Sequence, residues 1–183
     1  MTSEKFALYR KQLELKIRGK DTSKVVKTWN QTGLTHNVLE VIKKLGFENP
    51  MSIQAQALPV IMSGRDYIGL AKTGSGKTLV FVFPMLRNIK DQPHLATGDG
   101  PIGLIMAPTR ELVQQIHYDI KKFAKVLGLN CVPVYGGSGV AQKISDLKKG
   151  TEIVVCTPGR MIDILCTSGS KISNLRKVTY LFI

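Results

Sequence analysis

The chain has 183 residues, 43% of them hydrophobic and 21% charged, which suits a soluble globular domain with one sizeable core. Its 26 lysines and arginines against 13 aspartates and glutamates leave a formal net charge of +13, favouring a polyanionic partner, with nucleic acid ahead of an acidic membrane surface. No apolar run approaches the roughly 20 residues of a membrane span, the opening MTSEKFALYRK lacks a signal-peptide core, and three cysteines outside any C-x-x-C pair (Cys131, Cys156, Cys166) argue against disulfides or zinc and for an intracellular protein.

Residues 1–27 carry eight basic side chains against three acidic ones. Their loose apolar spacing predicts a basic extension, a short helix and then a loop at Gly19–Ser23; a partly ordered arm fits the same residues. In THNVLEVIKKLGF (35–47), Val38, Val41, Ile42 and Leu45 share one helical face and Gly46 is the stop. SIQAQALPVIMSG (52–64) predicts a second helix with Ser52 as N-cap, kinked or shortened by Pro59. Strand-like runs follow at DYIGLA (66–71), PIGLIMA (101–107), NCVPVYG (130–136), EIVVC (152–156) and VTYLFI (178–183). The clearest intervening helix is TRELVQQIHYDIKKFAKVLG (109–128), with an apolar stripe of Leu112, Ile116, Ile120, Phe123 and Leu127. Alternating strands and helices predict an α/β fold, with a mostly parallel central sheet and helices on both faces. DQPHLATGDGP (91–101) is the most flexible-looking connection, and His36, His94 and His117 lack ligand spacing.

AKTGSGKT (71–78) lies between a strand-like run and a helical pattern. Ala71, Lys72, Thr73, Gly74, Ser75 and Gly76 form a loop whose glycines let backbone N–H groups turn toward phosphate oxygens, at the positive end of the next helix. Lys77 would reach the β- and γ-phosphates, and the Thr78 hydroxyl would ligate Mg²⁺. Ala71 stands where the general pattern has glycine, which is tolerable if its φ is negative. In GFENPMSIQ (46–54), the amide of Gln54 can pair with adenine through a donor and an acceptor together. Phe47 and Trp29 are candidates for apolar or stacking contact. Gln54 and Gln56 read equally well as exposed helix residues.

These stretches together resemble the first RecA-like domain of a DEAD-box RNA helicase, over residues from about 29 to the end. AKTGSGKT resembles that family's motif I, GFENPMSIQ with Trp29 upstream its Q motif, and PTREL (108–112) its motif Ia. Gly136-Gly137 resembles its GG element and TPGR (157–160) its motif Ib. The resemblance makes 28–183 a RecA-like P-loop domain that binds ATP and Mg²⁺. It also makes Pro108, Thr109, Arg110, Gly136, Gly137, Thr157, Pro158, Gly159 and Arg160 contacts to an RNA backbone, independent of sequence. The physics agrees. Thr109 and Thr157 are plausible N-caps and Pro158 suits a first helical position. Helix starts at the carboxyl edge of a parallel sheet are where ligands bind. Arg110 and Arg160 bring planar forks suited to phosphate, although an Arg110–Glu111 ion pair is an ordinary alternative.

KVVKTWNQTGL (24–34) and IVVCTPGRMIDIL (153–165) resemble the DEAD-box branch that acts in early spliceosome assembly. That implies a nuclear ATPase acting on a small nuclear ribonucleoprotein; separately, a monomer is expected, with a cytoplasmic place as the alternative and no membrane partner. In the family, Asp-Glu-Ala-Asp would follow VTYLFI, to hold Mg²⁺ and position the attacking water, and a second RecA-like domain would carry arginine fingers. The 183 residues are therefore expected to bind adenine nucleotide without hydrolysing ATP or unwinding a duplex at a useful rate. Two other functions stay open: a P-loop ATPase acting on something other than RNA, and a non-catalytic RNA- or protein-binding module.

Overall fold

A computed structural model describes residues 3–19, 22–137, 140–168 and 174–183. The chain divides into two compact units, Met1–Arg87 and Asn88–Ile183.

The first unit begins with α1 (Ser3–Gln12), a 3₁₀ turn (Trp29–Thr32) and α2 (His36–Lys44). Val38 and Ile42, one turn apart, are the buried residues of α2, and Gly46 ends it at φ 75° as its sequence position suggests. α3 (Ser52–Met62) follows, then α4 (Lys77–Lys90), whose last turn belongs to the second unit. The N-cap of α3 is Met51 in place of the expected Ser52. The reason is Gln54, the third helical residue, whose Oε1 accepts the Met51 N–H at 2.9 Å.

Nor does Pro59 shorten α3, which runs eleven residues straight through it. A proline lacks the N–H that would bond the carbonyl four residues back. That carbonyl belongs to Ala55, and the Val26 N–H supplies the missing donor at 3.0 Å. The described part of the N-terminal segment is therefore held against α3. Val25, Val26 and Ala55 form a small core, against which Phe6, Tyr9, Leu13 and Leu15 pack.

The run at 66–71 forms no strand. A strand exists only through pairing with a neighbour, and no described residue pairs with this segment. Ile68 and Leu70 are 93% and 92% exposed, whereas Tyr67 and Ala71 pack against Ile53, Ala57 and Val80.

The second unit holds the other four expected strands: β1 (Gly103–Met106), β2 (Cys131–Val134), β3 (Ile153–Cys156) and β4 (Tyr180–Phe182). All pair in parallel in the order β2-β3-β1-β4, with Gly103 opposite Ile153 and Tyr180, and Cys131 opposite Ile153. The helices are α5 (Arg110–Ala124), α6 (Val140–Lys148) and α7 (Pro158–Ser168). Leu104, Val132, Val134, Val154 and Cys156 on one sheet face pack with Leu147 of α6 and Met161 and Ile164 of α7. α5 contributes nothing to that cluster and packs against β2 and β3. It buries Val113, Ile116, Ile120, Phe123 and Ala124, so Val113 replaces the expected Leu112 on the stripe. Leu127 falls in a closing 3₁₀ turn that Gly128 ends at φ 66°. The 91–101 connection is tied down through mutual bonds between Ala96 and Asp99 and a bond from the Gly98 N–H to the Lys148 carbonyl. No described helix is long and apolar enough to cross a membrane.

Burial pushes the Cys131 thiol up to about 12 and the Cys156 thiol up to about 11, while Cys166 is exposed. The thiolate is the reactive form, and burial disfavours it. At pH 8 a maleimide should therefore modify Cys166 first and leave Cys131 and Cys156 intact until urea unfolds the chain. Peptide mass mapping of the modified sites along a urea series checks this.

Candidate functional site

The loop at 71–76 joins α3 to α4 through contacts within the first unit. Gly74 and Gly76 take φ values of +81° and +78°, and the Ser75 N–H bonds back to the Lys72 carbonyl at 3.3 Å. Lys77 opens α4 and folds its ammonium over the loop, donating to the Ala71 carbonyl and, at 2.8 Å, to the Lys72 carbonyl. A cation thus already sits in the curve of the loop, on weak neutral acceptors that an anion would displace. Ser75 Oγ is buried there without a hydrogen-bond partner among the described residues. A buried hydroxyl is rarely left so, and a phosphate oxygen would satisfy it. Thr78, half-buried on the first turn of α4, follows. Ala71 has no positive φ, and its methyl packs against Ile53, Ala57 and Val80. Alanine at that position anchors the loop where glycine would leave a gap.

Gln54 fixes the far end of the loop. It is 2% exposed, so it is not the exposed helix residue that sequence alone left open. Besides accepting from Met51, its Nε2 donates to the Gly76 carbonyl at 3.0 Å. One lone pair and one N–H of the amide remain. A Cβ built at Gly76 would run into the Gln54 amide nitrogen, and would stand 2.9 Å from Met51 Sδ. Glycine is therefore required there twice, for its φ and for its lack of a side chain.

Trp29 and Phe47 separate in role. Trp29 is 6% exposed, edge-on to Phe83 with ring centroids 5.8 Å apart, and its Nε1–H donates to the Phe47 carbonyl at 2.9 Å. Its ring is part of the core, and so is not a stacking surface. It holds the backbone of Phe47, whose own ring is 39% exposed and free to meet a ligand. Gln56, the other glutamine left open, is also buried at 4% exposure.

In the second unit the remaining candidates gather at the carboxyl ends of β1, β2 and β3. Thr109 caps α5, its Oγ1 accepting from the Leu112 N–H at 3.3 Å. Pro108, Thr109 and Arg110 are exposed, and no described residue pairs with Arg110. Gly137 takes φ 126°, and a Cβ there would lie 3.6 Å from Arg110 Nη1, so Gly137 and the guanidinium are neighbours. Thr157 is tied to β2 by its N–H to the Val134 carbonyl at 3.0 Å, and Pro158 and Gly159 open α7 as exposed residues. Arg160 pairs with Asp163 at 3.4 Å. That pair is largely solvent-exposed on the Asp163 side, so phosphate can compete for the arginine. Three further residues join this edge without a motif to announce them. Lys143 stands over the Tyr135 ring at 3.7 Å, and Gln114 donates to the Tyr135 hydroxyl at 3.0 Å.

A family model described as DEAD/DEAH box helicase matches residues 51–183. A rice protein named DEAD-box ATP-dependent RNA helicase 42 is 75% identical over 181 residues, covering 99% of this chain and 17% of that protein. The pre-mRNA-processing ATP-dependent RNA helicase prp5 of Aspergillus fumigatus is 56% identical over the whole chain, covering 15% of that protein. The chain thus spans less than a fifth of the curated relatives it matches. The crystal structure of the RNA helicase Prp28 from Chaetomium thermophilum bound to ADP matches with a TM-score of 0.90 and 34% identity. It covers 99% of this chain and 44% of that one.

The two loop glycines separate in a substitution test. Gly74→Ala meets nothing within 4 Å and adds only left-handed strain, roughly 1–2 kcal/mol. Gly76→Ala adds the same strain and displaces Gln54. Nucleotide titration should show Gly76→Ala weakening binding at least about tenfold more than Gly74→Ala, since it also breaks the buried amide bonds.

Proposed function

We propose that this chain, which belongs to the DEAD/DEAH box helicase family, supplies the ATP- and RNA-backbone-binding first RecA-like domain of an ATP-dependent RNA helicase acting in pre-mRNA splicing. The observation that carries the reading is the Gln54 amide, which donates to the Gly76 carbonyl of the glycine-rich loop and keeps one donor and one acceptor for a base. One residue thereby couples recognition of adenine to the shape of the loop that grips its phosphates.

In this reading Lys77 leaves the Ala71 and Lys72 carbonyls for phosphate oxygens, and Ser75 Oγ gains an acceptor. The free donor and acceptor of Gln54 meet the adenine edge while Phe47 covers the ring face. Thr78 would hold Mg²⁺, which when bound screens the phosphate charge. Ala71, Lys72, Thr73, Gly74 and Gly76 supply the backbone of the cradle. RNA lies along the carboxyl edge of the β1–β3 sheet, on Pro108, Thr109, Arg110, Gly136, Gly137, Thr157, Pro158, Gly159 and Arg160. Helix starts, glycine backbone and guanidinium forks read phosphate, and none of them reads a base, so binding is sequence-independent. A splicing role and a nuclear place follow the names of the relatives: prp5 is described as pre-mRNA-processing and yeast Prp28 as a splicing factor.

Two measurements on the full-length protein test this. ATP turnover should rise with single-stranded RNA and vanish in Lys77→Ala; turnover indifferent to RNA would favour an ATPase with another target. Arg110→Ala should weaken binding to unrelated RNA sequences alike. It should also flatten the dependence of log K on log salt by about 0.7, the value for one single-strand phosphate contact.

A further inference from the structure

Residues 3–19 and 22–27 have no part in the proposed contacts to ATP or RNA, yet the structure binds them to the helix that carries Gln54. Arg10 Nε donates to Gln56 Oε1 at 2.8 Å, and Arg10 Nη2 donates to the Ser23 carbonyl at 2.8 Å. Gln56 Nε2 donates to the same carbonyl at 2.9 Å. Next to this triangle the Val26 N–H fills the Ala55 carbonyl that Pro59 leaves open. The apolar side chains Phe6, Tyr9, Leu13 and Leu15 close over Val25, Val26 and Ala55. Lys24 lies 5.5 Å from the Phe6 ring and Lys27 lies 4.8 Å from the Tyr9 ring, tying the two halves of the segment together.

We propose that residues 3–19 and 22–26 form a strap that fixes the first turns of α3, and that Arg10 is a positioning residue for nucleotide selection, acting through Gln56 on Gln54. This rests on reading Gln54 as the side chain that selects adenine.

Burial is what makes the strap contact consequential. Gln56 is buried, and every hydrogen bond its side chain makes goes to the strap. Without Arg10, Gln56 Oε1 loses its donor in a place water reaches poorly, and a buried amide without partners forces local rearrangement. Gln54 is two residues away on the same helical turn but on another side of the helix, so the effect passes through the α3 backbone, and its remaining donor and acceptor are useful only if the amide plane holds its angle. A bidentate pair tolerates little displacement, whereas the charge of the phosphate loop acts over a longer range. Loss of the strap contact should therefore weaken the choice of base more than the grip on phosphate. A purely structural role for Arg10 would lower folding stability and leave the choice of base alone.

The test uses fluorescent methylanthraniloyl derivatives of ATP and GTP with the full-length protein, at temperatures where urea melts show each variant folded. Wild type should prefer ATP. Arg10→Ala should narrow the ATP/GTP affinity ratio by about tenfold, the scale of one or two hydrogen bonds. Arg10→Lys keeps the charge and can reach one acceptor, so its ratio should lie between; it also serves if Arg10→Ala does not fold. Lys11→Ala, an exposed charge on the same helix, should leave the ratio unchanged. Arg10→Ala combined with Gln56→Ala should narrow the ratio no further than Arg10→Ala alone, because the two act as one unit. If Gln54→Ala abolishes the preference while folded Arg10→Ala or Arg10→Lys keeps the wild-type ratio, the strap inference is overturned and the reading of Gln54 stands. If Gln54→Ala itself keeps the preference, the adenine reading fails and the inference falls with it.

Discussion

A single buried amide sets the geometry of the nucleotide-suited half of this chain. Gln54 accepts the N–H of Met51 and donates to the carbonyl of Gly76, twenty-two residues downstream. The first bond starts α3 and the second fixes where the phosphate loop ends. Both partners are backbone atoms, so neither can swing away as a side chain would. A primary amide offers four hydrogen-bonding capacities, and half of them are committed inside the protein. The remaining pair is therefore oriented before any ligand arrives, which lowers the ordering cost of binding. The same arrangement dictates Gly76, where a side chain would displace the amide.

The two units present anion-suited groups by different means. In the first, a loop is curled around its own lysine, and the neutral carbonyls that hold Lys77 are weaker partners for an ammonium than a phosphate would be. In the second, the fold does the work in advance. Parallel strands end on one edge, so the helices that follow must start there, and their unpaired N–H groups collect at one place. Thr109 satisfies one such group of α5 through its side chain. The arginines add charge to these starts under different conditions. Arg110 has no partner among the described residues and lies beside Gly137, whereas Arg160 must exchange Asp163 for a ligand. Arg110 is for that reason the more accessible guanidinium of the two.

Much of this could be read in the sequence, for physical reasons that are local. Strands β1 to β4 fall inside the apolar runs marked for them; the inner strands β1 and β3 are buried on both faces, which needs continuous apolar residues, whereas the edge strands β2 and β4 are only partly covered. Gly46 and Gly128 end their helices because only the left-handed conformation closes them cheaply. Thr109 caps where it should. What could not be read depends on partners distant in the chain. The run at 66–71 has strand composition without a strand beside it. Trp29 looked like a ligand contact until Phe83 and the Phe47 carbonyl claimed both its edge and its N–H. Leu112 and Val113 are adjacent, and a rotation of one residue about α5 decides which is buried. Gln54 and Gln56 carry no sign in the sequence that both are buried, since glutamine is usually exposed.

Residues that break a local rule turn out to mark these distant partners. Ala71 breaks the glycine pattern of the loop, and its methyl fills a small apolar contact with Ile53, Ala57 and Val80. Pro59 breaks the helical pattern of α3, and the carbonyl it frees is where the strap docks. A helix that keeps a proline at full length must find another donor for the residue four positions earlier, or leave an unpaired carbonyl in its core. At Ala55, which is 1% exposed, water is a poor donor, so a segment of the chain itself has to supply the N–H. A proline in a buried helix thus marks the residue four positions back as a docking position. The pairing of Val26 with Ala55 explains why a segment rich in lysine, with every outward sign of a loose arm, is ordered against the helix that carries Gln54.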